Sequence, residues 1–339
     1  MNKALQSEFF KIENNIKLPF NDDTILSIKN FPKSENLYYF FSKNYFLYLW
    51  DLENNAVTKL FEKNFSRFND VYIDYSFNIY FLDEHQITIS DTSLKIIDTI
   101  NLWSENYNYS ASALFPFYVK DTLAFAFKYP NYIINSLDNY KKFISEKREF
   151  CFDLKNKKEV IFNMNFEEYP SDLSNHFKYV FNPFRILDDN NNLIYSFEHN
   201  DTIEIFNLSS KTKNKRVIRS NYFIQNSHFN FNDVQNFEKV SQYLIENSRY
   251  YCLYYDKYKK LYYRIIRHKY PYKNKDKINL ITDADWSIVV CDENFNVLYE
   301  VLFESGRYYF NKIIITKKGV LIKNQNDEEI YSLFDFSRH

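Results

Sequence analysis

One short grammar recurs along this 339-residue chain: an apolar strand ending in Asp or Asn, a polar turn of a few residues, and a second apolar strand. It is written in "YFLYLWDLENNAVTKLFE", "QITISDTSLKIIDTINL", "REFCFDLKNKKEVIFN", "TIEIFNLSSKTKNKRVI" and "WSIVVCDENFNVLYEVLF", anchored by Asp51, Asp91, Asp153, Asn207 and Asp292. A sixth copy, "EEIYSLFD", reaches Asp335 close to the end of the chain, and its partner strand is missing. A second pattern, two strands joined by a tight turn, precedes each copy: "NFPKSENLYYFF", "VYIDYSFNIYFLD", "YVKDTLAFAF", "RILDDNNNLIYSF", "YYDKYKKLYYRII" and "ITKKGVLIKN". Runs of β-branched and aromatic residues bounded by Asn, Asp, Lys and Ser are the signal of strands and turns. A supersecondary unit repeated at such a period implies a modular fold.

Four strands per unit, labelled A to D, six times over, predict an all-β chain: a six-bladed β-propeller of four-stranded antiparallel blades. The blades are expected at about 23–62, 69–101, 111–163, 177–218, 249–303 and 311–336, within one domain. The strand left over at the start, "EFFKIENNIKLPF" (residues 8–18), supplies what the last blade lacks and closes the ring, replacing an open edge with ladder hydrogen bonds. Patterning agrees. "LYYFF", "YFLYLW" and "SIVVC" are apolar on both faces, as strands sandwiched between neighbouring sheets must be, whereas "LKIIDTINL" alternates as an outer strand does. The one helical insertion is expected in "NDVQNFEKVSQYLIEN", capped by Asn232 or Asp233, with Val234, Phe237, Val240 and Tyr243 or Leu244 on one face.

Composition bounds the function more than it defines it. Forty-three basic against forty-four acidic residues give a net charge of -1, so neither nucleic acid nor an anionic membrane is an expected partner. Cys151, Cys252 and Cys291 are widely spaced and each embedded in an apolar run, which reads as buried free thiols. The six histidines never fall at i, i+2 or i, i+4, and no metal or cofactor is indicated. Two glycines in the whole chain leave no phosphate-gripping loop, and hydrolase elbows are absent, so no catalytic residue is assigned. No apolar run is long enough to span a bilayer. The start "MNKALQSEFFKIENN" lacks a signal peptide's apolar stretch; the expected location is cytoplasmic, or periplasmic or cell-surface if a leader has been removed. A monomer is expected.

The segments "YYCLYYDKYKKLYYRIIRH", "WSIVVCDENFNVLYEVLF" and "IITKKGVLIKN" resemble the closing third of the TolB-like six-bladed propeller proteins of unknown function from Bacteroidetes. Within the resemblance, a Tyr-Tyr-Arg triplet in strand B falls on Tyr262, Tyr263 and Arg264, and an Asp-Glu-Asn-Phe turn on Asp292 to Phe295. Many such proteins are predicted lipoproteins of the cell envelope. This chain departs from them in lacking the leader with its acylated cysteine, and the resemblance brings no catalytic residue with it.

Where function would reside follows from topology. With strand A innermost, A–B and C–D turns leave a blade on one face and B–C and D–A connections on the other. The length variation is of the second kind: 128–147, 219–248 and 268–285, with shorter excursions at 102–111, 164–176 and 304–310. Loops on a rigid scaffold carry function. Two of them begin alike, with Lys128, Tyr129 and Pro130, and with Lys269, Tyr270 and Pro271. With Tyr132, Trp103, Tyr272, Trp286 and Arg267 they are candidates for a binding rim facing a protein, peptide or glycan; the alternative is that these aromatics pack their own loops. Nine tyrosines between residues 250 and 273 are read chiefly as blade packing with hydroxyls reaching wet ends. Arg264 and Arg267, inside an apolar strand, need partners, and Glu300 or Asp285 are candidates for a structural ion pair. The competing reading is a glycan-active hydrolase or lyase with a carboxylate pair drawn from Asp283 or Asp285 and Glu167 or Glu168 in the central funnel. A third is an assembly partner engaged through the helix near 233–247.

Overall fold

The computed structural model describes residues 4–20, 25–61, 65, 67–111, 115–131, 136, 138–139, 142, 149–160, 184–224, 229–233, 235–274, 277–327 and 330–337. The chain opens with β1 (Ala4–Gln6) and β2 (Lys11–Lys17), both of which return to sheets built from the far end of the sequence. Sheet one comprises β3 (Ile25–Asn30), β4 (Leu37–Ser42), β5 (Leu47–Asp51) and β6 (Ala56–Lys59). Sheet two comprises β7 (Asp70–Ile73), β8 (Ile79–Leu82), β9 (Gln86–Ser90) and β10 (Ile96–Asn101). In sheet three, β11 (Tyr107–Ser110) and β12 (Tyr118–Lys120) share one edge of β13 (Leu123–Pro130), followed by β14 (Glu149–Asp153) and β15 (Lys158–Glu159).

Sheet four runs β16 (Phe184–Leu187), β17 (Asn192–Ser196), β18 (Thr202–Asn207) and β19 (Lys213–Val217). After α1 (Phe237–Glu246), sheet five is formed by β20 (Arg249–Asp256) and β21 (Leu261–Arg267), a two-stranded excursion of β22 (Lys273–Asn274) and β23 (Lys277–Ile278), then β24 (Trp286–Cys291) and β25 (Val297–Phe303). Sheet six has β26 (Tyr308–Thr316), β27 (Gly319–Asn324) and β28 (Ile330–Phe334). The sheets are the blades of an all-β six-bladed propeller. They fall into two compact units, Pro19–Tyr169 with sheets one to three, and Met1–Leu18 with Pro170–His339 carrying sheets four to six.

The N-terminal strand completes the last blade. β2 pairs antiparallel with β28, Lys11 opposite Phe334 and Lys17 opposite Ile330, with an irregularity between Ile12 and Asn15. Phe10, just before it, stacks on Tyr299 at 5.2 Å and packs on Phe336. An addition that the repeat does not announce is β1, which lies parallel on β25 as a fifth strand of sheet five. The strand β11 was likewise expected as an excursion; it pairs with the distal half of β13 and buries Tyr109 against Phe150.

The anchors of the grammar act through one hydrogen-bond pattern in two lengths. Asp74, Asp91, Asp188 and Asp292 each accept the backbone N–H two and four residues on. Asp51, Asp153, Asn207 and Asp256 accept those two and three residues on. The first set places a left-handed residue three positions after the anchor, namely Phe77, Leu94, Asn191 and Phe295; the second places it four positions after, namely Asn55, Lys157, Lys211 and Lys260. Glycine usually fills such a position because it has no Cβ to clash. A chain with two glycines relies instead on the anchoring side chain to hold the turn. Gly319 is a case with no substitute: φ is +138° and an added Cβ would lie 2.3 Å from the Phe334 carbonyl oxygen.

The helix differs in phase from the sequence reading. It starts at Phe237 and is capped by Asn236, whose side chain accepts the Lys239 N–H, while Phe231–Asp233 form a separate 3-10 turn. Val240, Tyr243 and Ile245 face inward and Phe237 is 84% exposed; Val234 lies outside the described residues. Asn232 and Asp233 are taken up by the preceding turn, in which the Asn236 N–H donates to the Asp233 carbonyl, so the cap passes to the next residue able to supply one. The three cysteines are buried and in no disulfide, and burial pushes the Cys252 and Cys291 thiols up to about 12.

Two outcomes follow. Exposed Lys211 sits at φ 58°, so Lys211→Gly is expected to stabilise the protein by about 1 kcal/mol in urea unfolding, the relief of left-handed strain outweighing glycine's entropy. Gly319→Ala is expected to cost several times that, since both the dihedral and the close carbonyl forbid a side chain.

Candidate functional site

The triplet Tyr262, Tyr263 and Arg264 lies wholly inside sheet five. Alternation along β21 sends the two tyrosines to opposite faces. The Tyr262 hydroxyl donates to Asp188 at 2.6 Å and the Tyr263 hydroxyl to Asp256 at 3.1 Å, so each ties the strand to an anchoring aspartate. Tyr250 donates to Asp201 and Tyr255 to Asp189. The tyrosine-rich stretch is thus a packed interior with satisfied hydroxyls at its ends.

Arg264 resolves its burial with dipoles. Its guanidinium donates to the carbonyls of Asp201 (2.7 Å), Ile218 (2.8 Å), Asn200 (2.5 Å) and Phe197 (3.3 Å), its Nε donates to Ser196 Oγ (3.0 Å), and its plane lies 3.5 Å from the centre of the Tyr250 ring. Arg267 does the same for the helix. It donates to the carbonyls of Leu244, Ile245 and Asn247, where a cation satisfies orphan acceptors and the negative end of the helix dipole together. Both arginines, for which the sequence suggests a carboxylate partner, therefore hold backbone corners.

The carboxylates weighed as their ion-pair partners are engaged elsewhere. Glu300, 1% exposed, accepts from Ser220 Oγ (2.5 Å), Ser287 Oγ (2.6 Å) and the Asn221 N–H (2.8 Å). Asp285 accepts the Ser305 N–H at 2.7 Å. Ser287 also meets His268 Nε2 at 3.0 Å, and the His268 ring stacks on Tyr222 at 4.6 Å. A run of polar groups thus crosses the end of sheet five and straps the segment 218–222 onto it. Burial, with a smaller push from Arg267, lowers the His268 imidazole to about 4 against the opposing pull of Asp285.

Above this end of the sheet, the described residues of 268–285, namely 268–274 and 277–285, form a compact module. Lys269 N–H donates to Ser248 Oγ, Tyr270 N–H to the Ile245 carbonyl, and His268 N–H to the Asp285 carbonyl. Asn279 points inward, its amide donating to the Pro271 carbonyl at 2.7 Å and its N–H to the Tyr272 carbonyl. Alternation then turns its neighbours outward: Ile278 is 49% and Leu280 62% exposed. Asp283 accepts the Leu280 N–H and pairs with Lys277.

The rim residues separate accordingly. Lys269 is exposed and Tyr270 half-buried on this module. Arg267, Tyr272 and Trp286, expected beside them, are interior: Trp286 stacks on Phe303 at 4.0 Å and donates to the Tyr308 carbonyl. In the unit Pro19–Tyr169, Trp103 is 62% exposed, while Lys128 pairs with Glu159 and lies over the Tyr107 ring. Tyr129 continues β13 opposite Asn108. Tyr132, Glu167 and Glu168 lie outside the described residues. Missed in the sequence were Glu300 as an acceptor hub, Ser220, Ser287 and Tyr222; their only signal was polarity inside apolar strands or beside them. The same unit as Trp103 has its own buried hub, Asp70, which accepts from Ser27 Oγ (2.6 Å), Lys29 Nζ (2.7 Å) and the Phe117 N–H (3.0 Å).

Among the described residues no group of three or more His, Cys, Asp or Glu is placed to hold a metal, and no helix is long and apolar enough to cross a membrane. Residues 10–302 match the family described as Domain of unknown function (DUF4221). A crystal structure of a member of that family from Bacteroides vulgatus is similar at 16% identity over 96% of this chain and 97% of that one, with a TM-score of 0.75. The β-propeller domain of Cps50 (Swd1) from Myceliophteria thermophila is similar at 11% identity over 95% and 85%, TM-score 0.44, and U3-55K at 8% over 96% and 100%, TM-score 0.45. No curated protein matches the sequence.

Replacing Arg264 by Met keeps the bulk and deletes five donors, and is expected to cost roughly 3 kcal/mol or more in urea unfolding because several buried acceptors lose their partners. For His268, the folded value of about 4 lies below the ordinary 6.5. Its contribution is therefore complete above about pH 6.5 and is lost as pH falls toward 4, by roughly 3 kcal/mol in total. Unfolding midpoints measured between pH 7 and 4 should fall less steeply for His268→Gln than for wild type.

Proposed function

We propose that this chain, which belongs to the DUF4221 family, is a non-enzymatic binding propeller whose loop module at 268–285 engages an extended polypeptide. The observation that carries the reading is the alternation about Asn279. One inward amide fixes the hairpin and presents Ile278 and Leu280 on the same side to solvent. Exposed apolar groups on a rigid element are a common feature of protein contact surfaces.

Charge sets the preferred partner. Lys269, Lys273 and Lys277 are exposed on the same module, Lys273 opposite Ile278, which favours a segment mixing apolar and acidic side chains. Aliphatic contacts suit a polypeptide better than a sugar, whose ring faces stack on aromatic ones. The polar groups nearby support binding rather than turnover. Arg264, Arg267 and Glu300 spend their hydrogen bonds on the protein's own backbone and hydroxyls, and Asp283 and Asp285 spend theirs on the loop.

A peptide and glycan array probed with wild type and with a Tyr270→Ala, Leu280→Ala double variant tests the reading. Acidic and apolar peptides are expected to bind wild type and to bind the variant at least tenfold more weakly, with unfolding stability changed by no more than about 0.5 kcal/mol for such surface positions. Equal binding by both proteins, or binding confined to glycans, would overturn it.

A further inference from the structure

Beneath this module one interior side chain keeps an open lone pair. Glu300 accepts from two hydroxyls and a backbone N–H, so the proton of Ser287 is committed to the carboxylate. The Ser287 oxygen then has only a lone pair to offer His268, and Nε2 must be the nitrogen that carries hydrogen. Nδ1 is left as an acceptor. It has no partner among the described residues, and the residue keeps 9% of its surface exposed. The ring is otherwise held: it is stacked on Tyr222, and its backbone N–H is bound to the Asp285 carbonyl.

Interior polar atoms are ordinarily satisfied, and one held open beside a solvent-facing loop marks a place for an incoming group. We propose that His268 Nδ1 is the hydrogen-bond acceptor of the loop-module site, receiving an N–H or O–H of the bound polypeptide, with Tyr222 as the aromatic wall beside it. The Glu300–Ser287 pair acts as the positioning element: it fixes the tautomer and the ring plane, as outer partners do for histidines that bind ligands through their other nitrogen. The depressed basicity of the imidazole agrees, since it keeps the ring neutral and its lone pair available at neutral pH. Around it stand Arg267 and Asp285 on the same sheet end, Lys269 next in sequence, and Tyr222 from the strap. The identity of the donor group rests on the polypeptide reading above; the open acceptor does not.

The experiment has two arms on the full chain. In the first, long-range proton–nitrogen NMR of histidine-labelled protein reads the tautomer, and diethyl pyrocarbonate, which acylates an accessible unprotonated imidazole nitrogen with loss of ethyl carbonate, is followed by peptide mass mapping. The expected result is hydrogen on Nε2 and acylation of His268 in the native protein. Hydrogen on Nδ1, or a native His268 that acquires no label, would overturn the inference. In the second arm the peptide array compares His268→Gln, whose amide reaches Ser287 but offers nothing at the Nδ1 position, with His268→Asn, whose oxygen takes that position. Peptides that bind wild type should bind the Gln variant about tenfold more weakly and the Asn variant within a fewfold. Equal loss in both variants would show a merely structural histidine and overturn the assignment. If no peptide binds wild type, the polypeptide reading falls, and the first arm still decides whether the acceptor is open.

Discussion

The antiparallel ladder between β2 and β28 is the contact on which the far half of the molecule depends. Without it sheet six would end at β28 with a row of free N–H and C=O groups on an apolar strand, the arrangement that invites pairing with another chain. The ladder joins residues separated by almost the whole sequence, so its closure entropy is large but grows only slowly with length. The segment just before it adds a second tie. β1 lies along β25 and Phe10 stacks on Tyr299, so residues 4–17 bind sheets five and six to one another.

Inside each unit the blades are joined by polar hubs as well as by apolar packing. Asp70 gathers donors from the first strands of sheets one and two and from the residue before β12. Arg264 gathers carbonyls from the turn between β17 and β18 and from Ile218 beside it, at one end of sheet four, while stacked on Tyr250 of sheet five. These hubs work in opposite senses, a carboxylate among donors and a guanidinium among acceptors. The physical logic is shared: a buried charge is tolerated where many oriented dipoles replace the water it gave up. Charged residues conspicuous in the sequence, Arg264 and Arg267, are consumed by architecture, whereas Leu280 stays exposed and Tyr270 half-buried at the surface.

Much of the fold was legible because its signals are local. Each anchor at Asp51, Asp91, Asp153, Asn207 and Asp292 acts on N–H groups within four residues, so strand, turn and strand could be read in order. The phase of α1 differs because Asn232, Asp233 and Asn236 are all competent caps, and the preceding turn takes up the first two. The site was less legible still. Trp286 and Tyr272 looked like rim aromatics, yet one fills the space under Phe303 and the other the underside of its own loop. Nothing near either residue in the chain distinguishes an inward ring from an outward one.

By itself the sequence determined the all-β class, the blade count and the use of the first strand to complete the last sheet, because alternation, turn anchors and a missing strand are properties of contiguous residues. Tertiary structure alone decided which polar side chains were spent and which stayed open. Glu300, Ser287, Ser220 and His268 come from four separated segments, and the tautomer of the last depends on where the proton of the second is directed. Such a chain of hydrogen bonds has no local signature, since each link is made by whichever donor the packed sheet brings within about 3 Å.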